Sequence, residues 1–138
     1  MQKDEFELFP LFVKYYGSLV GYGNIFVVDN GSSEKMLPLL SDAISLGVHV
    51  DFTHTSKECF ENKGRILEEK MKLLADEYEI CIPLDCDEFI GLETTPGVFT
   101  FDKDTITRYL ESLHKGIFKL KAGNRFRNSI TDYTKFYR

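Results

Sequence analysis

The chain has 138 residues, with 22 acidic and 17 basic side chains and a formal net charge of −5. Hydrophobic residues make up 43% of it and aromatics 14%, which supports one buried core, excludes general disorder and leaves little room for a second domain. No apolar run approaches the roughly 18–20 residues of a membrane-spanning helix, and Met1-Gln2-Lys3-Asp4-Glu5 lacks the apolar core of a signal peptide.

Along residues 4–20, Phe6, Phe9, Phe12, Tyr16 and Leu19 recur at helical steps, with a break or a helix start expected at Pro10. Gly17, Gly21 and Gly23 end that pattern. Ile25-Phe26-Val27-Val28 then reads as a short strand buried on both faces. Asp29-Asn30-Gly31-Ser32-Ser33 is a turn whose serines are expected to cap a helix over 33–46. Val48–Phe52 alternates as a second strand, and residues 58–77 form a helix with Phe60, Leu67, Met71 and Leu74 on one face. Glu79–Leu84 follows as a third strand, ending on Asp85-Cys86-Asp87-Glu88. Beyond it come a hairpin at Pro96-Gly97, a helix near Asp104–Leu113 and a strand at Gly116–Leu120. This alternation predicts an α/β fold: a mostly parallel, Rossmann-like sheet with helices on both faces. In such sheets, ligands sit beyond the carboxyl ends of the strands, so the polar clusters at Asp29 and at Asp85–Glu88 are expected to face one crevice.

Between Lys115 and Arg138 seven basic residues stand against one acid, Asp132, leaving −11 for residues 1–114. An acidic body without a broad basic face does not suit a nucleic-acid binder. The basic tail suits solvent, a phosphate or peripheral contact with an anionic membrane surface. Three cysteines, Cys59, Cys81 and Cys86, form no CxxC pair. They read as buried thiols in a reducing compartment, hence a cytoplasmic protein.

Three clusters bear chemistry. In an extended backbone, Asp85 and Asp87 point to the same face, and two such carboxylates repel unless a cation lies between them. A hard ion, Mg²⁺ or Mn²⁺, suits oxygen ligands, although an acidic turn at a strand end has the same sequence. Glu88 then points away and either holds the following turn or serves as a base. Asp29, Asn30 and Ser32 stand at a strand mouth before a helix start, where backbone N–H groups favour a ligand's anionic or carbonyl groups, but an ordinary turn also reads this way. Lys63 and Arg65 flank Gly64 near the next helix start. They are placed to reach a diphosphate, or else to lie on a solvated face among Glu61, Glu68 and Glu69. Gly64 itself hints at close backbone approach. His49, His54 and His114 show no ligand spacing.

Taken in order, Leu8-Phe9-Pro10-Leu11-Phe12-Val13-Lys14-Tyr15-Tyr16, Phe26–Ser33 and Pro83-Leu84-Asp85-Cys86-Asp87-Glu88-Phe89-Ile90 resemble a family 2-type glycosyltransferase with an Asp-x-Asp-Glu-Phe metal motif. The likeness covers about residues 4–92. It implies the nucleotide-diphospho-sugar transferase (GT-A) fold in a single domain over 1–138. Residues 1–92 would be the nucleotide- and metal-binding core, and 93–138 the start of an acceptor side plus the basic tail. It further implies a nucleotide-sugar donor, an acceptor hydroxyl, and Mn²⁺ or Mg²⁺ held by Asp87 and Asp85. Asp85 would also lie near the ribose, Asp29 near the base, and Glu88 is the candidate catalytic base. Two features depart from the family. No strand precedes the first helix, so the edge of residues 25–28 is expected to be open or otherwise filled, and Pro83 removes a ladder donor from a strand expected to be central. The expected function is metal-dependent glycosyl transfer. The alternatives are a receiver-like or other Mg²⁺-binding regulatory module, or an inactive piece of a glycosyltransferase.

Overall fold

In the computed structural model, which describes residues 1–113 and the backbone strands Ile117–Lys119 and Lys135–Tyr137, the amphipathic N-terminal pattern becomes helix α1 (Leu8–Val20). Phe9, Val13, Tyr16 and Leu19 form its buried stripe, while Phe6 lies outside the helix and is exposed. Pro10 causes no break. It is the third helical residue, where the backbone N–H has no intrahelical partner to lose.

Strand β1 (Phe26–Val28) pairs in parallel with β2 (His49–Asp51), Val27 opposite Val50. Helix α2 (Leu37–Ser45) connects them after a 3₁₀ turn at Glu34–Met36. The expected serine cap does not form. No side chain caps either segment, and Ser32 and Ser33 spend their hydroxyls on Asp29 and Asp4 instead. Among the described residues, the row on the other side of β1 is taken at one place. Gln2 makes a parallel bridge to Asp29, donating its N–H to Val28 at 3.0 Å and accepting from Asn30 at 2.9 Å.

The helix expected over 58–77 is two: α3 (Lys57–Glu61) and α4 (Lys63–Leu74), divided at Asn62. Asn62 has φ −98° and ψ 17°, off the helical region. Of the predicted apolar face, Phe60 is exposed, whereas Ile66 is the buried residue of α4. Nothing lies within 4 Å of a Cβ at Gly64, so no close approach explains that glycine.

Residues 79–84 do not form the expected third ladder: only Cys81 makes a bridge. Ile80, Ile82 and Leu84 nonetheless pack against the core. Pro83 is a sufficient local reason, since it has no N–H to donate. The described residues are therefore mixed α/β with a two-stranded parallel sheet, smaller than the doubly wound sheet expected from sequence.

The hairpin at Pro96-Gly97 forms as expected, from β3 (Leu92–Thr95) and β4 (Val98–Thr100), with Gly97 at φ 84°. Helix α5 (Lys103–Glu111) is capped by Asp102, which accepts from Thr105 N–H at 2.8 Å. Strand β5 (Ile117–Lys119) falls where a strand was expected and pairs antiparallel with β6 (Lys135–Tyr137). One core joins α1, α2, β1 and α5 through Phe9, Leu40, Val27 and Ile106, none more than 7% exposed. Burying such a side chain contributes roughly 1.5–3 kcal/mol. No helix among the described residues is long and apolar enough to cross a membrane.

Candidate functional site

Two polar loops flank the N-terminal dipeptide. The first follows β1. Asp29 is 3% exposed and its carboxylate is fully engaged: Oδ2 accepts from the N–H groups of Gly31 and Ser32, both at 3.1 Å. Oδ1 accepts from Ser32 Oγ at 2.6 Å and from the Gln2 side-chain amide. Asn30, equally buried, donates Nδ2 to the carbonyls of His54 (2.5 Å) and Ser56 (3.0 Å), tying this loop to the one after β2. Gly31 is obligatory here. It sits at φ 70°, and a Cβ would stand 2.8 Å from the Thr55 carbonyl oxygen. Residues 2–4 grip the same loop, with Asp4 Oδ1 accepting from Ser33 N–H (2.8 Å) and Oγ (2.7 Å). Asp29 thus organises the turn with all its acceptors used, so a nucleobase contact by its carboxylate would require one of these donors to leave.

The second loop carries the Asp-x-Asp motif, and its backbone is a turn rather than the extended end of a strand. The N–H of Glu88 donates to the Asp85 carbonyl at 3.0 Å, and Glu88 Oε2 accepts the N–H of Asp85 at 2.9 Å. The same-face argument for Asp85 and Asp87 therefore does not apply. Glu88 takes the turn-holding role, one of its two sequence readings. Lys63 Nζ lies 2.9 Å from Asp85 Oδ2 with both side chains about 40% exposed, so that carboxylate already has a cation. Arg65 instead pairs with Glu69 at 3.0 Å on the exposed face of α4 and is not brought to the turn. Asp87 is exposed.

The two loops meet at Met1–Gln2. Gln2 holds Asp29, while the Met1 amino group lies in the field of Asp85, Cys86, Lys63 and Glu88. Burial lowers the affinity of that amine for its proton, with Asp85 the strongest opposing influence. Burial also pushes the Cys86 thiol up to about 12, so it is a thiol and not a thiolate at neutral pH. The three cysteines are free thiols, and each is partly exposed rather than buried as expected.

Several contributors were not foreseen. Tyr16 donates its hydroxyl to the Glu88 carbonyl (3.0 Å) and accepts the Ile90 N–H (3.0 Å), and Tyr15 donates to the Ile90 carbonyl. In sequence, Tyr16 was visible only as a member of an apolar stripe. Asp51, at the end of β2, accepts Lys70 Nζ at 2.5 Å and the Thr53 hydroxyl at 2.6 Å, with His54 Nε2 at 3.9 Å. Behind the acidic turn, a cavity of about 290 Å³ lies between α1, β1, α4 and residues 78–84. Apolar groups such as Phe12, Ile25, Met71 and Ile82 line it, and none of the turn's carboxylates does.

For Mn²⁺ or Mg²⁺, the donor chemistry of Asp85 and Asp87 is right, since both offer hard oxygens. Among the described residues, no three His, Cys, Asp or Glu side chains converge as a ready cage. An ion held by one or two carboxylates and completed by phosphate and water needs no such cage. The basic tail, including Arg125 and Arg127, lies outside the described residues. The chain matches no family model, no curated protein and no solved structure.

Proposed function

We propose that this chain is a glycosyltransferase domain that takes a nucleotide-diphosphate-sugar as donor and Mn²⁺ or Mg²⁺ as cofactor. The observation that supports it is the meeting of the two loops at Met1–Gln2. A turn at the carboxyl end of a parallel strand stands there beside an acidic turn whose Asp85 is paired with Lys63. The loop after β1 lies where open α/β sheets bind ligands.

Asp87 and Asp85 would hold the metal ion, which supplies charge neutralisation for the departing diphosphate. Lys63, half-exposed and on a mobile stem, would exchange Asp85 for a diphosphate oxygen once the ion is bound. The Gly31–Ser33 segment orders the base side of the pocket through Asp29 rather than by lending that carboxylate. Glu88 fixes the turn by accepting the Asp85 N–H, so as the candidate base for an acceptor hydroxyl it would have to give up that bond.

The test is calorimetric titration of UDP, GDP, CDP and dTDP with and without Mn²⁺. One diphosphate is expected to bind in a metal-dependent manner, and Asp87→Asn is expected to abolish the metal dependence while leaving the fold intact. Metal-independent binding of all four, or none at all, would reject the reading. Transfer of phosphate from a small phosphodonor to Asp85 would favour a receiver-like module.

A further inference from the structure

The acidic turn is not held by its own segment alone. Residues 85–90 follow an irregular stretch with a single bridge, and besides the Lys63–Asp85 pair from α4 they are connected to the core through α1. Three hydrogen bonds make that connection. Tyr16 Oη donates to the Glu88 carbonyl and accepts from Ile90 N–H, and Tyr15 Oη donates to the Ile90 carbonyl. Tyr16 is 4% exposed, and burial raises its ionisation far above the ordinary phenol range, so its proton stays in place to donate. Its ring also stacks on Phe89, centroids 6.2 Å apart and planes at 25°, while Tyr15 meets Phe89 edge-on at 5.3 Å. A hydroxyl that accepts from one backbone N–H and donates to a carbonyl two residues away fixes both the direction and the height of the chain between them.

We infer that Tyr16, assisted by Tyr15, is a positioning residue that sets the acidic turn Asp85–Glu88 for metal-dependent diphosphate binding. This rests on the glycosyl-transfer reading above. The periodic burial of α1 explains an apolar group at position 16, and Phe would satisfy it. The hydroxyl is what the turn requires.

The experiment follows Mn²⁺ broadening of the Asp85–Glu88 amide resonances as the metal alone is titrated into the ¹⁵N-labelled chain. Wild type is expected to show saturable broadening that Asp87→Asn removes. Tyr16→Phe is expected to raise the Mn²⁺ midpoint at least tenfold and to speed hydrogen exchange at the Ile90 amide. Tyr15→Phe should move both readings less and in the same direction, and it serves if Tyr16→Phe does not fold. Val13→Ala, a buried truncation on the same helix, should lower the melting temperature with no change in midpoint. An unchanged midpoint in Tyr16→Phe, or an equal rise in Val13→Ala, would overturn the inference. A wild type without Asp87-dependent broadening would instead overturn the transferase reading, and this inference with it.

Discussion

Lys63 and Asp51 show how single charges are committed in this molecule. The ammonium of Lys63 balances Asp85 at 2.9 Å, which relieves the repulsion expected among the turn's carboxylates without any ion present. Metal and lysine therefore compete for one oxygen. Lys63→Gln is expected to tighten binding of Mn²⁺ alone by a few-fold and to weaken metal-dependent binding of a nucleoside diphosphate. Parallel titrations check both signs, and loss or gain of both together would contradict the exchange of partners. Asp51 is committed more firmly. Burial pushes its carboxyl up, but hydrogen bonds from Lys70 and Thr53 outweigh that and hold it well below the usual carboxylate range. Because the folded form binds its proton more weakly than the unfolded chain, Asp51 adds stability above about pH 3.8. That stability is lost as the pH falls through the depressed range. Asp51→Asn should cost about 1 kcal/mol at pH 7 by urea denaturation, and the deficit should shrink steadily in acid. A deficit independent of pH would assign the effect to packing.

At the scale of elements, the legible parts of the fold were those written in local periodicity. The α1 stripe, the β1 and β2 strands and the Pro96-Gly97 turn need only nearby residues to specify them, and each formed within a few positions of its expected bounds. The acidic segment was misread because Asp85-x-Asp87 has the same spacing in a strand and in a turn. The deciding bond, Glu88 Oε2 to the Asp85 amide, is a choice between two side-chain roles that spacing cannot make. Arg65 and Lys63 likewise look equivalent in sequence, yet the roughly half turn of helix between them sends them to different partners. The candidate site was thus legible as a list of residues and not as a set of contacts. Long-range partners such as Gln2 for Asp29, 27 positions apart, leave no local trace. The edge beside β1 has its own consequence. Among the described residues Gln2 fills one place in that row, and Ile25, Phe26 and Val28 beside it line the apolar cavity. A segment of five apolar β-formers joined ahead of Met1 should continue the row, slow hydrogen exchange at Phe26 and Val28, and raise the melting temperature by several degrees. Each newly buried Å² would add about 25 cal/mol. A Gly-Ser segment of equal length should do neither, and equal effects of the two would refute strand formation.

For the whole molecule, the architecture places its best-packed part, α1 with α2 and α5, on one side of the cavity. The irregular segment that carries the acidic turn lies on the other. Opening of that segment should therefore cost less than global unfolding, as it does where few buried contacts hold a region. The Cys86 thiol, lodged between the two aspartates and kept protonated by burial, turns this difference into something countable. In the closed turn, a water-soluble disulfide reagent at pH 8 finds a protonated thiol that is partly buried against the core. Modification at position 86, followed by mass spectrometry of the peptide, would tick only when the turn swings away from α1. Its rate should be far slower than in denaturant, rise in Tyr16→Phe and fall when Mn²⁺ and a nucleoside diphosphate are both present. A sulfur atom that plays no part in the proposed chemistry would then serve as the clock by which the breathing of the site is timed.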